Sequence, residues 1–92
     1  MINGNINDFI DKLSYGDEII FIYQRKKYFI QGFNTEGKLT LYLDRWDPPG
    51  KDYLWVGVGS ENDYPVNEFL TAPIWNGKTF MEIESKVEWV DE

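Results

Sequence analysis

Between residues 18 and 59 the chain reads as four short runs, EIIFIYQ, KYFIQGF, KLTLYLD and YLWVGVG. Each is rich in the β-branched and aromatic side chains that suit a pleated surface, and turn-forming residues separate them. Alternation with period two predicts an antiparallel meander. In the first run Ile19, Phe21 and Tyr23 point one way and Ile20 and Ile22 the other. A strand apolar on both sides is expected at a central position or beneath a helix. The connection Gln24-Arg25-Lys26-Lys27 is short and polar but lacks the Asn-Gly or Asp-Gly of the favoured two-residue turn. Asn34-Thr35-Glu36-Gly37 is better turn chemistry, with Asn to open it and Gly to accept the left-handed position.

A slip of one residue sends every side chain of a strand to the opposite face, so the pattern also predicts register. Centring the loops places Phe21 opposite Ile30, Ile30 opposite Leu41, and Leu41 opposite Val56. The expected core face is then Ile19, Phe21, Tyr23, Tyr28, Ile30, Leu39, Leu41, Leu43, Leu54, Val56 and Val58. The other face carries a row of Ile22, Phe29, Tyr42 and Trp55, flanked by Lys27, Gln31, Lys38, Thr40, Asp44 and Tyr53. Cross-strand aromatic pairs stabilise a sheet by about 0.2–1 kcal/mol each, so the row can serve the fold alone. An apolar patch rimmed by polar groups also marks a contact site wherever the chain leaves it uncovered. The connection from Arg45 to Asp52 is expected to be a long loop carrying Trp46, Pro48 and Pro49. Trp46 there either folds back over the sheet edge or belongs to a binding loop.

Outside the meander the apolar period changes. Ile6, Phe9, Ile10 and Leu13 fall at i, i+3, i+4 and i+7, which predicts an amphipathic helix over Ile6–Ser14 with Asn5 as its cap and Gly16 as its exit. Val66, Phe69 and Leu70 predict a second, short helix, with Ser60, Asn62 or Asp63 as cap, Pro65 in its first turn and Pro73 beyond its end. Asn76-Gly77 is a turn, and Thr79-Phe80-Met81-Glu82 matches a capping box for a third helix that buries Phe80 and Ile83. Val87-Glu88-Trp89-Val90 has the composition of a fifth, edge strand. The expected fold class is α+β over a single domain, 1–92.

Ala72-Pro73-Ile74-Trp75-Asn76-Gly77-Lys78-Thr79-Phe80, followed by Val87-Glu88-Trp89-Val90-Asp91, resembles a family of short uncharacterised proteins of Gram-positive bacteria, as does the hairpin from Ile22 to Phe29. Arg25-Lys26 stand where those proteins have a small Asn-Gly type of turn. The resemblance implies no activity, so no functional residue is carried over from it.

Composition narrows the chemistry. Ninety-two residues suffice for one core, and sixteen aromatic rings supply much apolar surface for a short chain. Cysteine and histidine are both absent, which removes disulfides, thiolate metal sites and the residues that acid-base and nucleophilic catalysis recruit most often. The serines lack a Gly-x-Ser-x-Gly setting, and no Gly-rich phosphate loop precedes a helix. Asp44, Asp47 and Asp52 surround Gly50, but not at EF-hand spacing. An enzyme is not expected, nor a cofactor; a carboxylate pair is the one catalytic device the composition leaves. No stretch of the N-terminus is apolar enough for a signal peptide or a membrane span, so a cytoplasmic location is expected.

The net charge is −7, and residues 61–92 carry eight acids against two bases. That sign repels nucleic acid and anionic lipid and favours a basic protein partner, or is simply a solubility device. Stacked bases on the aromatic row are disfavoured for the same reason, and an acidic mimic of nucleic acid would need a regular charge array. The reading that remains is a non-catalytic protein-interaction module, inhibitor- or immunity-like. Its candidate contact residues are Phe29, Tyr42, Trp46, Tyr53 and Trp55, and its partner is a basic protein or a second copy of the chain.

Overall fold

A computed structural model describes residues 1–47 and 52–90. Helix α1 (Ile6–Ser14) starts where Asn5 Oδ1 accepts the backbone N–H groups of Asn7 and Asp8, at 2.8 and 3.4 Å. Those bonds satisfy two of the donors that a helix start leaves open. The helix ends at Tyr15, and Gly16 carries the chain away at φ +71°. Phe9 and Leu13, the heart of the predicted stripe, are fully buried.

Four strands follow as an antiparallel meander: β1 (Ile19–Tyr23), β2 (Lys26–Thr35), β3 (Lys38–Asp47) and β4 (Trp55–Val58). Helix α2 (Val66–Thr71) and helix α3 (Phe80–Ile83) come next, then a 3-10 turn, Glu84–Lys86, and strand β5 (Glu88–Val90). The sheet order is β4-β3-β2-β1-β5, so β1 is internal, as its two apolar sides require. Ile2 lies beyond β5, where its N–H and C=O bond Val87 and Trp89 at 2.8 and 2.9 Å. The terminal ammonium of Met1 pairs with Glu84 at 2.6 Å. Thr79 and Glu82 form the reciprocal capping box that opens α3. Pro65, not a polar side chain, occupies the N-cap of α2; the Ser60 hydroxyl instead accepts from the N–H groups of Asn62 and Asp63 and shapes the preceding turn.

All three helices lie on one side of the sheet. Phe9, Phe21, Phe69 and Phe80 form the centre of the core at 0% exposure, with Trp75 between Phe21, Phe69 and Phe80. Ring pairs here meet edge-on or offset, the arrangements the aromatic quadrupole favours.

The register differs from the expected one, and the three differences have unequal consequences. Phe21 pairs with Tyr28 instead of Ile30, and Ile30 pairs with Leu43 instead of Leu41. Each is a shift by two, so faces are kept. Between β3 and β4, however, Leu41 pairs with Gly57 instead of Val56, and Leu43 with Trp55. That one-residue shift inverts β4. Trp55 turns to the helix side, and Val56 and Val58 turn away from it at 45% and 61% exposure. Leu54, also expected inside, is exposed.

The reason lies in volume. A Cβ on Gly57 would collide with the Trp55 ring and sit 3.1 Å from Pro65 Cγ, so the missing side chain is the space the indole occupies. From there Trp55 reaches Phe69 of α2, a gap that valine could not span. The expected loop from Arg45 to Asp52 is also shorter than predicted. Strand β3 runs on through Arg45 and Trp46 to Asp47, and the turn assigned to Pro48, Pro49 and Gly50 lies outside the described residues.

Candidate functional site

No described helix packs on the other sheet face, where Ile20 and Thr40 are nonetheless buried among their neighbours, at 6% and 2% exposure. Strand β2 presents Phe29, Gln31 and Phe33 there; β3 presents Thr40, Tyr42 and Asp44; β4 presents Val56 and Val58. Two aromatic groups stand on it. In one, Phe33 and Tyr53 flank Tyr42 with ring centroids 5.6 and 4.9 Å away, and the Tyr42 hydroxyl hydrogen-bonds Thr35 Oγ1 at 3.1 Å. In the other, Trp46 meets Phe29 edge-on at 6.1 Å and the Lys27 ammonium lies 4.8 Å above the indole. Trp46 has the parity of Tyr42 and Asp44 on β3, and the β2–β3 register skips it, pairing Lys27 with Asp47 and Tyr28 with Arg45. Such a bulge re-aims a side chain without ending the strand.

Four of the five predicted contact residues therefore share the open face. Phe29 and Tyr42 are half-buried within it, and Trp46 and Tyr53 stand out from it. Trp55 does not belong there. The inverted β4 places it over the core side, and Val56 occupies the position opposite Tyr42 that Trp55 was expected to hold. The expected row Ile22, Phe29, Tyr42, Trp55 is thus broken, since Ile22 pairs with Lys27 and Phe29 with Asp44.

Sequence reasoning missed Phe33, Val56 and Val58 as members of this face. Phe33 was within reach, because it has the parity of Phe29 and Gln31 on one strand. The valines were not, since β-branched apolar residues in a strand ordinarily point inward.

The face carries mixed charge. Lys27 sits by Trp46, Asp44 stands between the two aromatic groups and its Oδ1 accepts from the Arg45 N–H at 2.8 Å, and Glu88 pairs with Ile22 at the far edge. Asp44, Asp52, Tyr53 and Val56 enclose a shallow hollow of about 500 Å³. Among the described residues no three acids converge closely enough to hold a metal ion. Gly50, the centre of the aspartate group considered from sequence, lies outside the described residues. No helix of the described chain is long and apolar enough to cross a membrane. Comparison with known protein families, curated proteins and solved structures yields no match.

Proposed function

We propose that the chain is a non-catalytic protein-interaction module that docks a basic protein on the open sheet face. One observation carries the reading. Phe33, Trp46, Tyr53, Val56 and Val58 are each 45–61% exposed on a single face that the three helices leave bare. Scattered exposed apolar residues are ordinary, whereas contiguous ones with aromatic anchors are the composition of an interface centre. The charge selects the partner: Asp44 within the face and Asp52 and Glu88 at its margin outnumber Lys27, in a chain whose net charge is −7, so a basic surface gains both steering and pairing there.

The test is affinity capture from lysate with the wild type and with Trp46→Ala, Val58→Asp and, as a control on the helix side, Met81→Ala. Captured candidates are then purified and titrated by calorimetry. A basic protein that binds the wild type and Met81→Ala but loses at least tenfold in affinity for the other two supports the proposal. Undiminished binding to Trp46→Ala and Val58→Asp overturns it. So does sedimentation of the wild type as a dimer that Val58→Asp dissociates, because the face would then be filled by a second copy.

A further inference from the structure

A second concave surface lies on the helix side, where the β1–β2 turn meets the turn between α2 and α3. Its volume is about 270 Å³, just under the usual range for drug-sized ligands. Lys26, Arg45 and Lys78 line it, three of the nine basic residues of the chain. Among the described residues none that lines it is acidic, although the chain has sixteen acids. In a protein of net charge −7 that is a local reversal of sign. Lys26 and Lys78 make no ion pair among the described residues.

The floor is aromatic and carries donors. Tyr23, Tyr28 and Trp75 line the cavity and are nearly buried. Trp75 is 8% exposed, and its indole N–H is sealed from solvent beside the Tyr28 hydroxyl, outside good hydrogen-bond geometry. The Tyr28 hydroxyl, like any phenol at physiological pH, is a neutral donor.

Both turns that frame the cavity hold their central residues at positive φ: Gln24 and Arg25 at 51° and 65°, Asn76 and Gly77 at 52° and 83°. Asn-Gly tolerates this at little cost, but Gln-Arg does not.

We infer that this cavity is an anion-binding site for a small phosphate monoester, its dianionic group held by Lys26, Arg45 and Lys78 and its organic part resting on Tyr23, Tyr28 and Trp75. The two lysine ammonium groups match the charge of a dianion with three free oxygens, with the Arg45 guanidinium beside them, and exceed what one carboxylate can neutralise. The rings accept a flat apolar body. The site is separate from the open sheet face and does not rest on the function proposed for it.

The probe is phenyl phosphate, titrated at low ionic strength and followed by ¹H–¹⁵N NMR, with inorganic phosphate, benzoate and sodium chloride of matched ionic strength alongside. Saturable shifts of the Trp75 indole N–H and of the Gln24 and Lys78 amides are expected. Benzoate should bind at least tenfold more weakly, and Lys26→Gln and Lys78→Gln should each weaken phenyl phosphate about tenfold, the loss of one charge-assisted hydrogen bond. Both lysines are exposed, so unchanged thermal melting certifies the fold of these variants. Trp46→Ala should bind phenyl phosphate as the wild type does, which separates this site from the sheet face. Shifts that stay linear with concentration, an equal response to chloride, benzoate binding as tightly as phenyl phosphate, or wild-type affinity in both glutamine variants would each overturn the assignment.

Discussion

Trp55 packs its indole against the ring of Phe69, with centroids 5.6 Å apart, and so ties the edge strand β4 to helix α2. The contact exists because β4 pairs one residue out of the register that its apolar pattern favours. Trp55→Ala should therefore behave as a core truncation. A fully buried ring loses about 3–5 kcal/mol on such a change, and a half-buried one about 2–3 kcal/mol. Trp46→Ala removes only one cation–π contact and one ring edge, about 1 kcal/mol together. Urea unfolding of the two variants should separate them clearly; equal losses would mean that Trp46 is also core.

Gly32 of β2 is pressed between Gly16 and Tyr64. Its N–H donates to the Gly16 carbonyl at 3.0 Å, and a Cβ at this position would lie 2.7 Å from Gly16 Cα and collide with the Tyr64 ring. A ring can rotate aside, but backbone cannot. Gly32→Ala should cost about 2–3 kcal/mol through overpacking, read from the denaturation midpoint. Gly37→Ala makes a useful contrast: nothing stands within 4 Å of its Cβ, so any loss there comes from its φ of +84° alone.

The Gln24-Arg25 turn is a place where the protein can be improved. Both residues sit in the left-handed region, which costs a residue with a Cβ about 1–2 kcal/mol relative to Gly. The added Gly of Gln24→Asn/Arg25→Gly returns roughly 0.5–1 kcal/mol of this to the entropy of the unfolded chain. A net gain of about 1 kcal/mol is expected, seen as a higher melting temperature with an unchanged denaturant slope.

Tyr28 adds a pH dependence at the alkaline end. Burial raises its phenol above the ordinary 10.0, against smaller downward pulls from the Trp75 indole and the Arg45 guanidinium. Below pH 10.0 the phenol is neutral in both folded and unfolded chains, so its contribution to stability is intact. Above that, the unfolded chain ionises first, and stability is lost as pH rises toward the folded value. Tyr28→Phe should flatten this part of the profile relative to the wild type in melting experiments between pH 9 and 11.

The local elements were legible in the sequence because each depends on near neighbours. Asn5, Ile6, Phe9 and Leu13 specify α1, and Thr79 with Glu82 specifies the start of α3, through contacts within one turn. The shared face of Phe29 and Tyr42 was legible too, since parity along β2 and β3 follows from strand geometry, whereas Trp46 was expected in a loop and Tyr53 was placed by a β4 parity that the structure inverts. Parity cannot reveal how two strands slide past each other. Shifts by two left every face intact, whereas the shift by one at β4 exchanged Trp55 for Val56 and Val58.

What the sequence determined by itself is the α+β class, the order of elements, the acidic surface and the apolar stripe of each helix, all properties of spacing and composition. Tertiary structure decided which side of β4 faces inward, because a Gly57 that contributes nothing to a pattern leaves the one space where an indole can reach α2. It also gathered Lys26, Arg45 and Lys78, far apart in the chain, around one cavity. Charge counted along a chain has no memory of where strands and turns bring it together.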